Sequence, residues 1–244
     1  MLIFIVELDT HLISDYMATV TLPETFRYMK LDSIGLDASP ARSGGRESLI
    51  LTYTSPGRVE DYELYPEDHT RAMVRFLFEK VSVEEMLPVP YAPLWTWDEK
   101  GLRIFFTMKR TLLETGASPC ETQDAFVSVT RKQIFLSKNV FSRYVEALLE
   151  RSGFGMTEVS VVWSPAIGGY VAEHENLKVQ LLITEEETLT DLLDFTGLKK
   201  TLTWISSGAS VDFERVRAGA DVSKEGMRIP LILRNASGGR RNSA

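Results

Sequence analysis

Cysteine occurs once in this chain, at Cys120, so no internal disulfide can form and structural zinc lacks its sulfur ligands. A lone thiol points to a reducing compartment, cytosol or nucleus. Cys120 has neither a nearby histidine nor a helix N-terminus to lower its pKa, which argues against a nucleophile. Histidine is almost as scarce: His11, His69 and His174 are scattered, and the flanking Glu173 and Glu175 make His174 read as a solvated turn instead of a metal ligand. Long apolar runs are missing too. The opening MLIFIVELD has no basic stretch before it and holds Glu7 and Asp9, so neither a signal peptide nor a membrane span is expected. Positive charge is in deficit, with a net charge of −7 that argues against a uniformly basic nucleic-acid-coating protein and leaves the placement of the 27 basic residues to be read locally. Gly-rich phosphate loops, Ser/His/Asp arrangements and zinc spacings are absent, so no catalytic residues, metal or cofactor are assigned and a non-enzymatic role is expected.

What is present is alternation. With 44% hydrophobic and 25% charged residues, 244 residues can bury a sizeable core as one large domain or two small ones of a soluble globular protein. Period-two stretches predict strands at 2–8, 26–37, 48–54, 59–65, 102–109, 125–136, 157–163, 177–184, 201–206 and 227–233. Turn signals such as SPG at 55–57, DEKG at 98–101 and IGG at 167–169 separate them and imply antiparallel meanders. Helical spacing appears at about 10–20, 68–83, 138–152 and 187–198, the second and fourth starting at the caps Asp68 and Thr188.

Residues 1–110 read strand, helix, several strands, helix, more strands; residues 125–235 read the same way with little shared identity. The expected fold class is therefore α+β, two similar β-rich halves each with two helices. Residues 111–124, polar and holding Gly116 and Pro119, read as an exposed connector, and 236–244, small, polar and basic, as a flexible tail.

Two antiparallel halves of this order resemble the sliding DNA clamps, the family of proliferating cell nuclear antigen and the heterotrimeric DNA-damage checkpoint clamp. The stretch FRYMKLDSIGLDASPARSGGRESLILTYTS is similar to the family's strand, Gly turn, strand, loop, strand passage. IFLSKNVFSRYVEALLERSGFGMTEVSVVW is similar to its strand, Phe-containing helix, Gly stop and outer strand. MTEVSVVW and MKRTLLETGASPCETQDAF look nearer to a checkpoint-clamp subunit with a regulatory C-terminal extension than to the replicative clamp. The family continues with a further strand where this chain runs into ASGGRRNSA, a departure at the edge where a ring would close.

The resemblance implies a ring around duplex DNA with sheets outside and helices lining the hole. Arg143 would stand on the inner face after Phe141, on the side of its helix opposite Val140, Phe141, Tyr144, Val145, Leu148 and Leu149. Arg71 and Arg75, four apart and opposite Met73, Val74, Leu77 and Val81, would project together, and Lys199 and Lys200 follow the fourth helix. Such residues hold phosphates without reading bases. Leu112, Leu113, Pro119 and Phe126, in and beside the connector, would dock peptide motifs of repair or replication proteins. The implied partners are the duplex backbone, other clamp subunits in a homo- or hetero-oligomeric ring and a clamp loader, with no membrane. The implied location is the nucleus, or the cytoplasm for a prokaryotic or viral protein.

The bland alternative is a solvated helix face, since basic residues opposite an apolar stripe occur on any surface helix; the first helix offers Asp15 and no Lys or Arg, and the fourth offers Asp191 and Asp194. Three other functions are carried: a viral or divergent polymerase processivity factor on the same fold, a β-rich structural or adaptor protein without DNA contact, and a hydrolase with an unrecognised site. VEDYELYPED at 59–68 alternates so that its carboxylates point both ways, which suits a charged edge strand. LPVPYAPLW at 87–95 has the composition of a ligand for proline-binding modules, but its Leu, Val, Trp and Tyr so close together favour a loop packed on the core.

Overall fold

The computed structural model describes residues 1–20, 35–55, 57–81, 83, 86–108, 127–129, 133–155, 158–183, 185–198, 210–211, 219–230 and 233–234. Among them the chain is α+β, with four helices and antiparallel sheets. Strand β1 (Leu2–Leu8) leads into α1 (Thr10–Val20), then the meander β2 (Gly35–Ser43), β3 (Arg46–Ser55) and β4 (Arg58–Leu64), then α2 (Pro66–Leu77) and β5 (Met86–Pro88), β6 (Trp95–Asp98) and β7 (Gly101–Met108). After β8 (Val127–Val129), the order recurs: β9 (Gln133–Ser137), α3 (Lys138–Arg151), the meander β10 (Ser160–Ser164), β11 (Gly169–His174) and β12 (Leu177–Leu181), then α4 (Glu186–Phe195), β13 (Ser210–Val211), β14 (Asp221–Ser223), β15 (Gly226–Pro230) and β16 (Leu233–Arg234).

The largest sheet has seven strands in the order β10-β11-β12-β1-β7-β5, with β6 beside β5 on the same flank of β7. Its centre joins the first and last thirds of the chain, for β1 pairs with β12 from Leu2↔Leu181 to Val6↔Leu177 and with β7 from Phe4↔Phe106 to Leu8↔Leu102. The alternation of LIFIVEL explains why: Phe4, Val6 and Leu8 are fully buried on one face, each such side chain contributing roughly 1.5–3 kcal/mol. Sheet β14-β15-β9-β8, sheet β2-β3-β4 and the pair β13-β16 complete the described strands. Helix α1 packs on β1 and β2, and α3 packs on β9, β10 and β11, so each helix bridges the strand before it and the meander after it. Past α3, Phe154 stacks on Phe4 (5.6 Å) and meets Phe78 edge-on (4.7 Å), while Gly153 approaches the Lys80 carbonyl, where a Cβ would lie 2.3 Å from the oxygen.

Two hairpins are built alike. WDEKGLRI (97–104) turns at β6–β7 and VSKEGMRI (222–229) at β14–β15, and in each the first turn side chain accepts the amide two residues on: Asp98 from Lys100 (2.9 Å), Ser223 from Glu225 (3.4 Å). Gly101 precedes Leu102, the partner of Leu8; Gly226 precedes Met227, the partner of Leu136. A Cβ on Gly101 would sit 2.3 Å from the Leu8 carbonyl oxygen, and one on Gly226 would sit 2.2 Å from that of Leu136. The helices correspond too. Tyr16 of α1 packs edge-on against Phe76 of α2 (5.8 Å), and Tyr144 of α3 packs edge-on against Phe195 of α4 (5.3 Å).

Several expected boundaries move. The second helix runs over Pro66–Leu77, not 68–83: Phe78 leaves helical geometry at φ −133 and ψ 84, and Val81, expected on the helical stripe, is buried from the loop beyond. Asp68 lies inside that helix and binds Arg46 (2.8 Å) while Tyr65 takes the cap position, because proline is favoured at the first helical residue. The fourth helix starts at Glu186 with Glu185 as its cap, and Thr188 is buried inside it. Strand 157–163 is seen as Ser160–Ser164, and 125–136 as β8 and β9. Strands β5, β6, β11, β13 and β14 were not anticipated, four of them having only two to four residues, and β2 runs past the predicted end at 37 to Ser43. The predicted strand 201–206 and most of 26–37 lie outside the described residues.

Candidate nucleic-acid interface

Helix α2 presents Arg71 and Arg75 one turn apart and both exposed, because Thr70, Met73 and Val74 take the buried side. Glu67 and Asp68 occupy its first turn and partner Arg46, whose guanidinium contacts both carboxylates and lies 4.7 Å over the Tyr65 ring. The hydrogen bond to Asp68 pushes the Arg46 pKa further up. Arg46 is therefore engaged within the protein. On α3, Arg143 is exposed opposite the buried Val140, Phe141, Tyr144, Val145, Leu148 and Leu149, as the spacing predicts. Its neighbour is Glu146. Partial burial pushes that carboxyl upward, against the Val159 amide that donates to it and the attraction of Arg143, while Glu158 adds repulsion. Arg143 thus works in part as a counter-charge to a carboxylate that ties α3 to the approach to β10.

Lys199, Lys200, Leu112, Leu113, Pro119 and Phe126 lie outside the described residues, as does Cys120. His11 pairs with Asp15 (3.0 Å), His69 shares a 2.8 Å hydrogen bond with Tyr16, and His174 is exposed at the end of β11. No group of three or more His, Cys, Asp and Glu among the described residues converges on a metal position. Strand β4 is an edge strand with Val59 exposed and Leu64 buried; Asp61 accepts from the Thr52 hydroxyl and Glu63 from the Ser48 hydroxyl, both at 2.7 Å.

The helix correspondence bears directly on charge. Aligning Tyr16 with Tyr144 sets Asp15 opposite Arg143, and aligning Phe76 with Phe195 sets Arg75 opposite Asp194 and Arg71 opposite Thr190. Matching positions thus carry opposite or no charge. Helix α3 carries Lys138, Arg143 and Arg151 against Glu146 and Glu150, whereas α4 carries Glu186, Glu187, Asp191 and Asp194 with no basic side chain. Exposed arginines on the described helices thus lie on α2 and α3, while α4 is acidic.

A cavity of about 340 Å³, which sequence reasoning missed, opens among the N-terminus, β5, β7, α3 and α4. Leu2, Leu87, Met108 and Tyr144 supply apolar lining, and Glu185, Glu187 and Asp191 the carboxylates. The Met1 ammonium donates to Thr188 Oγ1 (2.5 Å) and pairs with Glu185 (2.7 Å). Its charged lining is thus three carboxylates and one ammonium, the ammonium already paired with Glu185. No family model matches the chain, and neither does any curated protein or solved structure.

Proposed function

We propose that this chain is a non-enzymatic subunit of a sliding-clamp-like ring that encircles duplex DNA and tethers repair or checkpoint factors, with 1–110 and 125–235 as its two half-domains. The observation that carries the reading is the recurrence of strand, helix, three-strand meander, helix and strands, together with the alike hairpins at Gly101 and Gly226 and the matching Tyr16–Phe76 and Tyr144–Phe195 contacts. Pairing of β1 with β12 adds support, since one sheet then runs through both halves. In this reading Arg71, Arg75 and Arg143 contact phosphates without reading bases, and Lys199 and Lys200 reinforce them. Leu112, Leu113, Pro119 and Phe126 receive partner peptides.

The carboxylates of α4 favour a second reading, an adaptor on the same fold without DNA contact. One experiment separates the two. Retention of circular duplex DNA is measured against salt for the wild-type assembly and for Arg71→Glu, Arg75→Glu and Arg143→Glu combined. For a clamp, retention of the variant falls for every sequence alike, the deficit shrinks as salt rises, and the salt slope drops by about 2.7, about 0.9 per lost contact. Equal retention at low salt rejects the DNA role and selects the adaptor. A polymerase, not clamp subunits, copurifying with the chain would select the processivity factor.

A further inference from the structure

The loop after β5 spends backbone strain and exposed apolar surface where neither helps folding. From Met86 to Trp97 the chain carries no charged residue. Val89, Trp95 and Met86 are buried and Leu94 packs on the core, as a packed loop requires. The expectation of a packed loop fails for the rest: Pro88, Pro90 and Pro93 are exposed, Leu87 is 42% exposed, and Tyr91 at the tip is fully exposed. Tyr91 is also the one non-glycine residue with positive φ among the described residues, at 64°. The Ala92 amide donates to the Val89 carbonyl over 3.3 Å, so Val89–Ala92 is a turn with proline at its second position and Tyr91 at the third, where a turn of this kind calls for glycine. A tyrosine there is strained, and its ring gains no burial in return.

We propose that Pro88–Pro93 is a docking segment for a partner with an aromatic-lined groove that recognises polyproline II, held closed in the free protein by the strained turn at Tyr91. Pro90 and Pro93 stand three apart, one full turn of polyproline II, so opening the turn aligns both rings on one side of the segment. The neighbours already favour that state, because Val89 and Ala92 each precede a proline and are biased toward extended backbone. Tyr91 is held out of it by the Ala92–Val89 hydrogen bond and by the burial of Val89. Opening breaks the Ala92–Val89 hydrogen bond, loosens the hold on the buried Val89 and releases the left-handed conformation, so binding recovers the strain that the closed turn stores. Lack of charge over the segment fits an apolar groove better than an ionic surface. This inference does not depend on DNA contact.

The test titrates the full-length chain against a panel of purified SH3 and WW domains. At least one domain binds the wild-type chain, and Pro90→Ala with Pro93→Ala together weakens that binding at least tenfold while tryptophan emission and the thermal midpoint stay near wild type, since both rings are exposed. Tyr91→Gly relaxes the closed turn, so it raises the thermal midpoint and binds about fivefold more weakly than Tyr91→Ala, which lacks the ring but keeps the strain. Absence of binding to every domain overturns the proposal. So does unchanged binding by the double proline variant, or equal affinity of the glycine and alanine variants.

Discussion

Replacing Gly101 by alanine is predicted to damage this protein far more than the size of a methyl group suggests. Gly101 opens β7 at φ +117, and a Cβ there would lie 2.3 Å from the Leu8 carbonyl oxygen and 2.9 Å from the Asp9 Cα. Both neighbours are backbone, held by the β1–β7 ladder through Leu8↔Leu102 and by the α1 start, where the Leu12 amide donates to Asp9 Oδ1 at 2.9 Å. Neither can yield as a flexible side chain would. The left-handed conformation costs roughly 1 kcal/mol for alanine, and forcing one carbon into a packed backbone contact costs roughly 1–3 kcal/mol more. The total of about 3 kcal/mol corresponds to a fall of about 6–12 °C in thermal midpoint for a chain of this size. Gly226→Ala, whose Cβ would lie 2.2 Å from the Leu136 oxygen at the matching position, should cost as much. Gly44→Ala is the control: φ is +56 and nothing lies within 4 Å, so it should lose only about 1 kcal/mol. Urea unfolding of the three variants, followed by tryptophan emission and circular dichroism, measures the differences. If Gly101→Ala is no worse than Gly44→Ala, the close approach of β7 to the end of β1 is wrong, and the matched-hairpin argument goes with it.

Phe154→Ala should cost about 3–5 kcal/mol in the same assay, because the ring is buried between Phe4 and Phe78 and its removal leaves a cavity between segments distant in sequence. Stability should also fall in alkali. Burial pushes the Tyr16 and Tyr170 hydroxyls up to about 12 from the ordinary 10. Below pH 10 both are neutral in either state and their contribution is intact. Between pH 10 and 12 the unfolded chain ionises first, so stability drops by up to about 1.4 kcal/mol per pH unit for each tyrosine. Tyr170→Phe should lose about 1 kcal/mol at neutral pH with its hydrogen bond to the Ser223 carbonyl (2.6 Å), yet show a flatter decline above pH 10; an unchanged slope in denaturant titrations would contradict this.

Local chemistry sufficed for much of this chain. The three-and-four spacing of Val140, Phe141, Tyr144, Val145, Leu148 and Leu149 placed α3 and its buried face, and alternation placed β1, β3, β4, β7 and β12, because helical and strand periods are properties of neighbouring residues. The exposure of Arg71, Arg75 and Arg143 follows from the same spacing. Pairing is a different matter. Val6 meets Leu177 across most of the chain, and no period in either segment names the other, since any strand with one apolar face satisfies the same rule. Helix ends were misjudged where tertiary contacts intervene: Val81 continues the stripe of α2 in sequence but is buried from a loop, and Thr188 reads as a cap until the Met1 ammonium claims its hydroxyl. The likeness of WDEKGLRI to VSKEGMRI lay in plain letters, yet only the carbonyls of Leu8 and Leu136 closing on the two glycines gave it a reason. Charge followed the same division. Composition counted the arginines, but tertiary packing set Arg143 beside Glu146 and matched it to Asp15, because electrostatics acts through distances that the order of residues does not contain.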